Sequence, residues 1–93
     1  MKIWAQLYIE HKVAKDIIIE FTGKRPRNKE TWRQIIGELC DALNQIHPVM
    51  LNKHINQLTR LSRTSFIAAD FLEPTEFTKL EVQILPDETK ADI

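Results

Sequence analysis

Trp32, Ile35, Ile36, Leu39, Leu43 and Ile46 recur at steps of three and four along the chain. On an α-helix that spacing draws one apolar stripe. Lys29, Arg33, Gln34, Glu38 and Asp41 fall on the other side. Asn28 supplies an N-cap, Glu30 suits the positive end of the helix dipole, and Pro48 bars continuation, so one long amphipathic helix is expected over about 29–46. Such a helix gains most of its stability by laying its stripe on a second apolar surface, so the rest of the chain has to provide one.

The first twenty residues offer it. In "KIWAQLYIE" (2–10), Ile3, Ala5, Leu7 and Ile9 alternate with polar or aromatic residues, the period of a half-buried strand. "VAKDIIIEF" (13–21) is rich in β-branched residues and reads as its partner. A two-residue loop at His11-Lys12 would set Asp16 and Glu20 against Leu7 and Ile3. A three-residue loop, Glu10 to Lys12, instead pairs Ile9 with Val13, Ala5 with Ile17 and Ile3 with Ile19. Because a slip of one residue turns every side chain to the other face, the three-residue loop is expected. The opposite face then carries Trp4, Tyr8 and Ile18, too apolar for plain solvent surface, and a cover for it is expected.

Beyond the helix, "PVML" (48–51) reads as a short strand. "NKHINQLTRLS" (52–62) reads as a second short helix starting at Asn52 with Ile55, Leu58 and Leu61 inward. "RTSFIAADFL" (63–72) fits a strand or irregular chain, "EPTEF" (73–77) a connector, and "TKLEVQILP" (78–86) a last strand with Leu80, Val82 and Ile84 on one face. The expected class is α+β: a mainly antiparallel sheet opening with an N-terminal β-hairpin, packed by the 29–46 helix. Residues 1–86 should make one domain and 87–93 a frayed tail.

Ninety-three residues make one domain with a thin core. The single cysteine, Cys40, rules out an internal disulfide and suits a reducing cytosol. The N-terminus lacks the uninterrupted apolar stretch of a signal peptide, and no run approaches the roughly 20 apolar residues of a membrane helix. A cytoplasmic protein with no membrane contact is expected. Formal charge sums to zero, yet residues 1–65 hold 11 cations and 6 anions, and residues 66–93 hold 2 and 7. Packing of the two segments against each other would neutralise both, with Arg60 and Arg63 pairing to Asp70, Glu73 or Glu81.

Several kinds of site are argued down. Gly23-Lys24 lacks the upstream glycine and the following Ser or Thr that a phosphate-cradling loop requires. Cys40, His47 and His54 are spaced by seven, but Pro48 breaks the helix that would align them, so no metal site is expected. Ser62 and Ser65 sit near Arg60, Arg63 and His54 without a glycine-rich elbow, and Glu73 and Glu76 lie in a connector. No catalytic residue, cofactor or metal ligand is expected; a non-enzymatic role is the preferred reading, and an enzyme stays open. One alternative stands: Lys24, Arg25, Arg27 and Lys29 before the helix, with Arg60 and Arg63 in "RLSRTSF", form a candidate anion or nucleic-acid contact. Trp4, Tyr8 and Ile18 form a candidate interface for a protein partner or for self-association as a homodimer.

"KIWAQLYIEHKVAKDIIIE", "RTSF" and "FTKLEVQIL" together resemble a group of short uncharacterised bacterial proteins. These begin Lys/Arg-Ile-Trp-Ala, continue with Lys-Asp before an Ile-rich strand, and finish with a Leu-Glu strand. The resemblance covers most of the chain. It implies a bacterial cytosolic protein, implies no activity and brings no functional residue with it.

Overall fold

A computed structural model describes residues 1–86. The tail expected at 87–93 lies outside the described residues. Strands β1 (Lys2–Ile9) and β2 (Lys12–Glu20) form the N-terminal hairpin. Helices α1 (Lys29–Ala42) and α2 (Asn52–Leu61) follow, then β3 (Arg63–Ile67), a single 3-10 turn at Ala68–Asp70, and β4 (Lys79–Ile84). The four strands form one antiparallel sheet in the order β2-β1-β4-β3. The fold is α+β, and its last strand lies against its first.

The hairpin keeps the expected register through most of its length: Ile3 pairs with Ile19, Ala5 with Ile17 and Leu7 with Lys15. Its tip differs. Tyr8 pairs with Val13 and Ile9 with Lys12, so the loop is the two-residue turn Glu10-His11, and a bulge on β2 takes up Ala14. Glu10 supplies the positive φ (58°) that a glycine would otherwise provide, and its N–H donates to Thr78 Oγ1 at 2.6 Å.

Ile3, Ala5 and Leu7 of β1 join Leu80, Val82 and Ile84 of β4 and Phe66 of β3 on one sheet face. The α1 stripe belongs to the same core: Trp32, Ile35, Ile36, Leu39 and Leu43 are buried and Ile46 partly so. The Asn28 cap is present, its Oδ1 accepting from Thr31 N–H at 2.7 Å. The helix stops at Ala42 rather than 46. Asn44 turns left-handed (φ 60°), its N–H donates to Asp41 O at 3.0 Å and that of Gln45 to Cys40 O at 2.8 Å, a Schellman closure.

The run 48–51 is not a strand. It is the approach to α2: Met50 is buried, Val49 N–H donates to Asp70 O, and Leu51 N–H donates to His54 Nδ1, so Leu51 is the N-cap of a helix that starts, as expected, at Asn52. Within α2, Leu58 is fully buried and Ile55 partly so, but Leu61 is 64% exposed; His54 occupies the inward position instead. Ser62 in the left-handed region turns the chain directly from α2 into β3, which leaves Leu61 at the rim.

Candidate functional site

Three places in this fold could carry function: the outer sheet face, the cationic end of α2, and the surroundings of His54.

Both helices contribute to the core on one side of the sheet, and no described element covers the other. Register puts Trp4 between Ile18 and Gln83, Gln6 between Asp16 and Glu81, and Tyr8 between Val13 and Lys79. Trp4 and Tyr8 are half-buried among these neighbours, whereas Ile18 is 53% exposed. The cover expected for this face is thus not supplied by residues 1–86. Trp4 is fixed at its polar end, Nε1 donating to Asp16 Oδ2 at 2.9 Å, and Lys79 Nζ lies over the Tyr8 ring, 4.4 Å from its centre. Three cations (Lys2, Arg63, Lys79) and three anions (Asp16, Glu20, Glu81) share the face by strand parity.

The loop 21–28 is anchored at two points. The buried Trp32 donates its indole N–H to Pro26 O at 3.0 Å. Arg25 donates to Thr59 O at 3.4 Å and to Ser62 Oγ at 3.1 Å, so its guanidinium sits at the negative end of α2. That contact brings the loop to the end of the helix that holds Arg60 and precedes Arg63. Of the six candidate cations, Arg25 is engaged with the fold; Lys24, Arg27, Lys29, Arg60 and Arg63 are exposed. The pairing expected between Arg60 or Arg63 and Asp70, Glu73 or Glu81 does not form within 4.0 Å among the described residues. The charge pair there is Arg33–Glu30, and two imidazoles, His47 and His54, lie beside Asp41 and Asp70. Asp70 is turned inward toward His54, and Glu81 accepts from Tyr8 Oη at 3.5 Å.

His54 is a core residue to which the sequence assigned no inward position. Its ring is fully buried and stacked on Phe66 with centroids 4.3 Å apart. Nδ1 accepts the Leu51 N–H at 2.9 Å, so in the neutral ring the proton is on Nε2. Nε2 lies 3.6 Å from Asp70 Oδ2, too far for a hydrogen bond, and has no other partner. Asp70 Oδ2 takes the Ile67 N–H at 3.0 Å instead. Burial lowers the His54 pKa, with the Asp70 charge opposing. Nothing in the sequence links positions 54 and 70; only the return of the chain after β3 does. Cys40 is also fully buried, and burial together with Asp41 pushes its thiol up to about 12, far from the thiolate a nucleophile requires. Among the described residues, no three His, Cys, Asp or Glu side chains gather as a metal site, and no helix is long and apolar enough to cross a membrane.

No family model, curated protein or solved structure matches this chain.

Proposed function

We propose that the chain is a small non-enzymatic module acting through protein contacts, with the outer sheet face seating a second copy of the same chain. The observation that carries this is the uncovered face itself, with Trp4, Tyr8 and Ile18 at its centre and Ile18 53% exposed. Exposed apolar clusters rimmed by polar residues mark contact surfaces. Equal numbers of opposite charges make the face electrostatically compatible with itself, and a chain of zero formal charge is not repelled by its copy. Two such faces would pack as a sheet sandwich. Placement in the bacterial cytosol rests on the sequence resemblance and the lone cysteine. Sedimentation velocity over a concentration series should show a dimer that Ile18→Asp reduces to a monomer while far-UV circular dichroism is unchanged. A wild-type chain that stays monomeric at the highest concentration sinks the proposal.

A second reading draws on a different observation. Arg25 ties the 24–27 loop to the C-terminal end of α2, beside Arg60 and Arg63. That arrangement supports an anion or nucleic-acid contact through Lys24, Arg27, Arg60 and Arg63. Labelled single- and double-stranded oligonucleotides should then bind at low salt, with affinity falling steeply as salt rises. No binding at low salt removes this reading.

A further inference from the structure

The free edge of β3 runs beside α2, and between them lies a cleft of about 330 Å³. Lys53, Gln57 and Leu61, four residues apart along one stripe of α2, form its helical wall; Arg63, Ser65 and Glu81 lie on the sheet side. Thr64 is buried between the two, and its hydroxyl donates to Gln57 Oε1 at 2.5 Å, fixing the helix at a set distance from the strand.

The ladder tells which backbone groups face this edge. Ile84 N–H donates to Ser62 O at 2.7 Å, so the backbone groups of Thr64 and Phe66 point toward β4 by alternation. Those of Arg63, Ser65 and Ile67 point away from the sheet. Ile67 agrees, because its N–H is closed by Asp70 Oδ2 at 3.0 Å. Arg63 and Ser65 therefore present N–H and C=O groups along an edge bordered by α2. A strand added there would place alternate side chains on the two sides of the sheet. One set would meet Lys53, Gln57 and Leu61, and the other Arg63 and Ser65. The cleft is lined on both of those sides.

Charge selects the occupant. Lys53 and Arg63 have no ion-pair partner within 4.0 Å among the described residues, and Arg60 stands close by in the last turn of α2. The one anion in the lining, Glu81, is set back on β4. The opposite edge of the sheet differs. Met1 and Phe21 exchange both backbone hydrogen bonds, so the outward positions of β2 are Asp16, Ile18 and Glu20. That edge carries two carboxylates and a bulge, features that deter strand addition.

We propose that the α2–β3 cleft binds an extended acidic segment of another protein as a fifth strand, hydrogen-bonded to Arg63 and Ser65 and held by Lys53 and Arg63. The site shares Arg63 and Glu81 with the outer sheet face but does not use Trp4, Tyr8 or Ile18, and it takes a different partner.

The test is a titration of the full chain with a labelled peptide of about eight residues alternating valine and glutamate, a usual strand length. Fluorescence anisotropy reports affinity, and NMR reports amide exchange residue by residue. The Arg63 and Ser65 amides should gain protection on binding. The Lys53→Glu/Arg63→Glu variant should bind about tenfold more weakly and should instead take up the valine–lysine counterpart. Ile18→Asp should bind the acidic peptide as wild type does, which separates this result from the fate of the outer-face dimer. Binding without protection at Arg63 and Ser65, or equal binding of both peptides by the wild type, overturns the proposal. So do Arg63 and Ser65 amides that are already protected in the free chain, which would mean the edge is taken by the chain itself or by a second copy.

Discussion

At position 54 an imidazole fills a core site, pinned through Nδ1 to the start of α2 and facing Asp70 with a proton it cannot share. Its folded-state pKa is lowered by burial, opposed by Asp70, from an ordinary value of 6.5. The unfolded chain therefore binds the proton more readily than the folded one. Stability should be complete above about pH 6.5 and should fall as pH drops through that value. Urea midpoints at pH 7.5 and 5.5 check this: the wild type should lose stability between them, and His54→Gln should lose less. His54→Gln should itself cost about 1–3 kcal/mol at pH 7.5, since Leu51 N–H is left to find a new partner. Identical pH dependence in the two proteins would show that His54 is not the sensor. Sequence spacing suggested His54 only as part of a seven-residue series with Cys40 and His47. The series has no structural meaning, because the chain turns at Asn44 and again at Pro48.

Among the elements, α1 shows how much a helix owes to its ends. The apolar stripe marked the helix and its buried face, and Asn28 marked its start, because both signals are local. Its end was displaced by four residues. Ile46 continues the period of the stripe, so periodicity alone extends the helix past a closure made by backbone hydrogen bonds at Asn44 and Gln45. Asn44 tolerates φ 60° better than most residues, and glycine tolerates it best. Asn44→Gly should leave stability equal or higher, whereas the β-branched Asn44→Val should cost about 1–2 kcal/mol in urea unfolding. The reverse order would show that the left-handed closure does not govern this end. The hairpin gives the same lesson. Its face assignment was legible from alternation; its tip was not, since a glutamate at positive φ and a one-residue bulge leave no compositional mark.

Over the whole molecule, the sheet order sets the first and last strands of the described residues side by side. β4 lies between β1 and β3, so within the sheet the N-terminal hairpin is joined to β3 only by β4. A chain ending at Thr78 loses that bridge and the core side chains Leu80, Val82 and Ile84. It should show no cooperative unfolding transition and no near-UV signal from a packed Trp32. A sharp transition in that fragment would refute the claim that β4 closes the core. The same topology leaves one sheet face and the β3 edge open among the described residues, and the proposed protein contacts rest on these two surfaces.

The sequence by itself determined the α+β class, the buried faces of β1, α1 and β4, and the N-cap of α1, because periodicity and capping act between residues a few positions apart. Only the tertiary structure decided that His54 faces Asp70, that Arg25 closes the end of α2, and that Arg63 and Ser65 line an open edge. Those relations join residues far apart in the chain, or depend on which strand lies beside which. Strand order is set by how the core closes as a whole, and no local pattern of side chains encodes it.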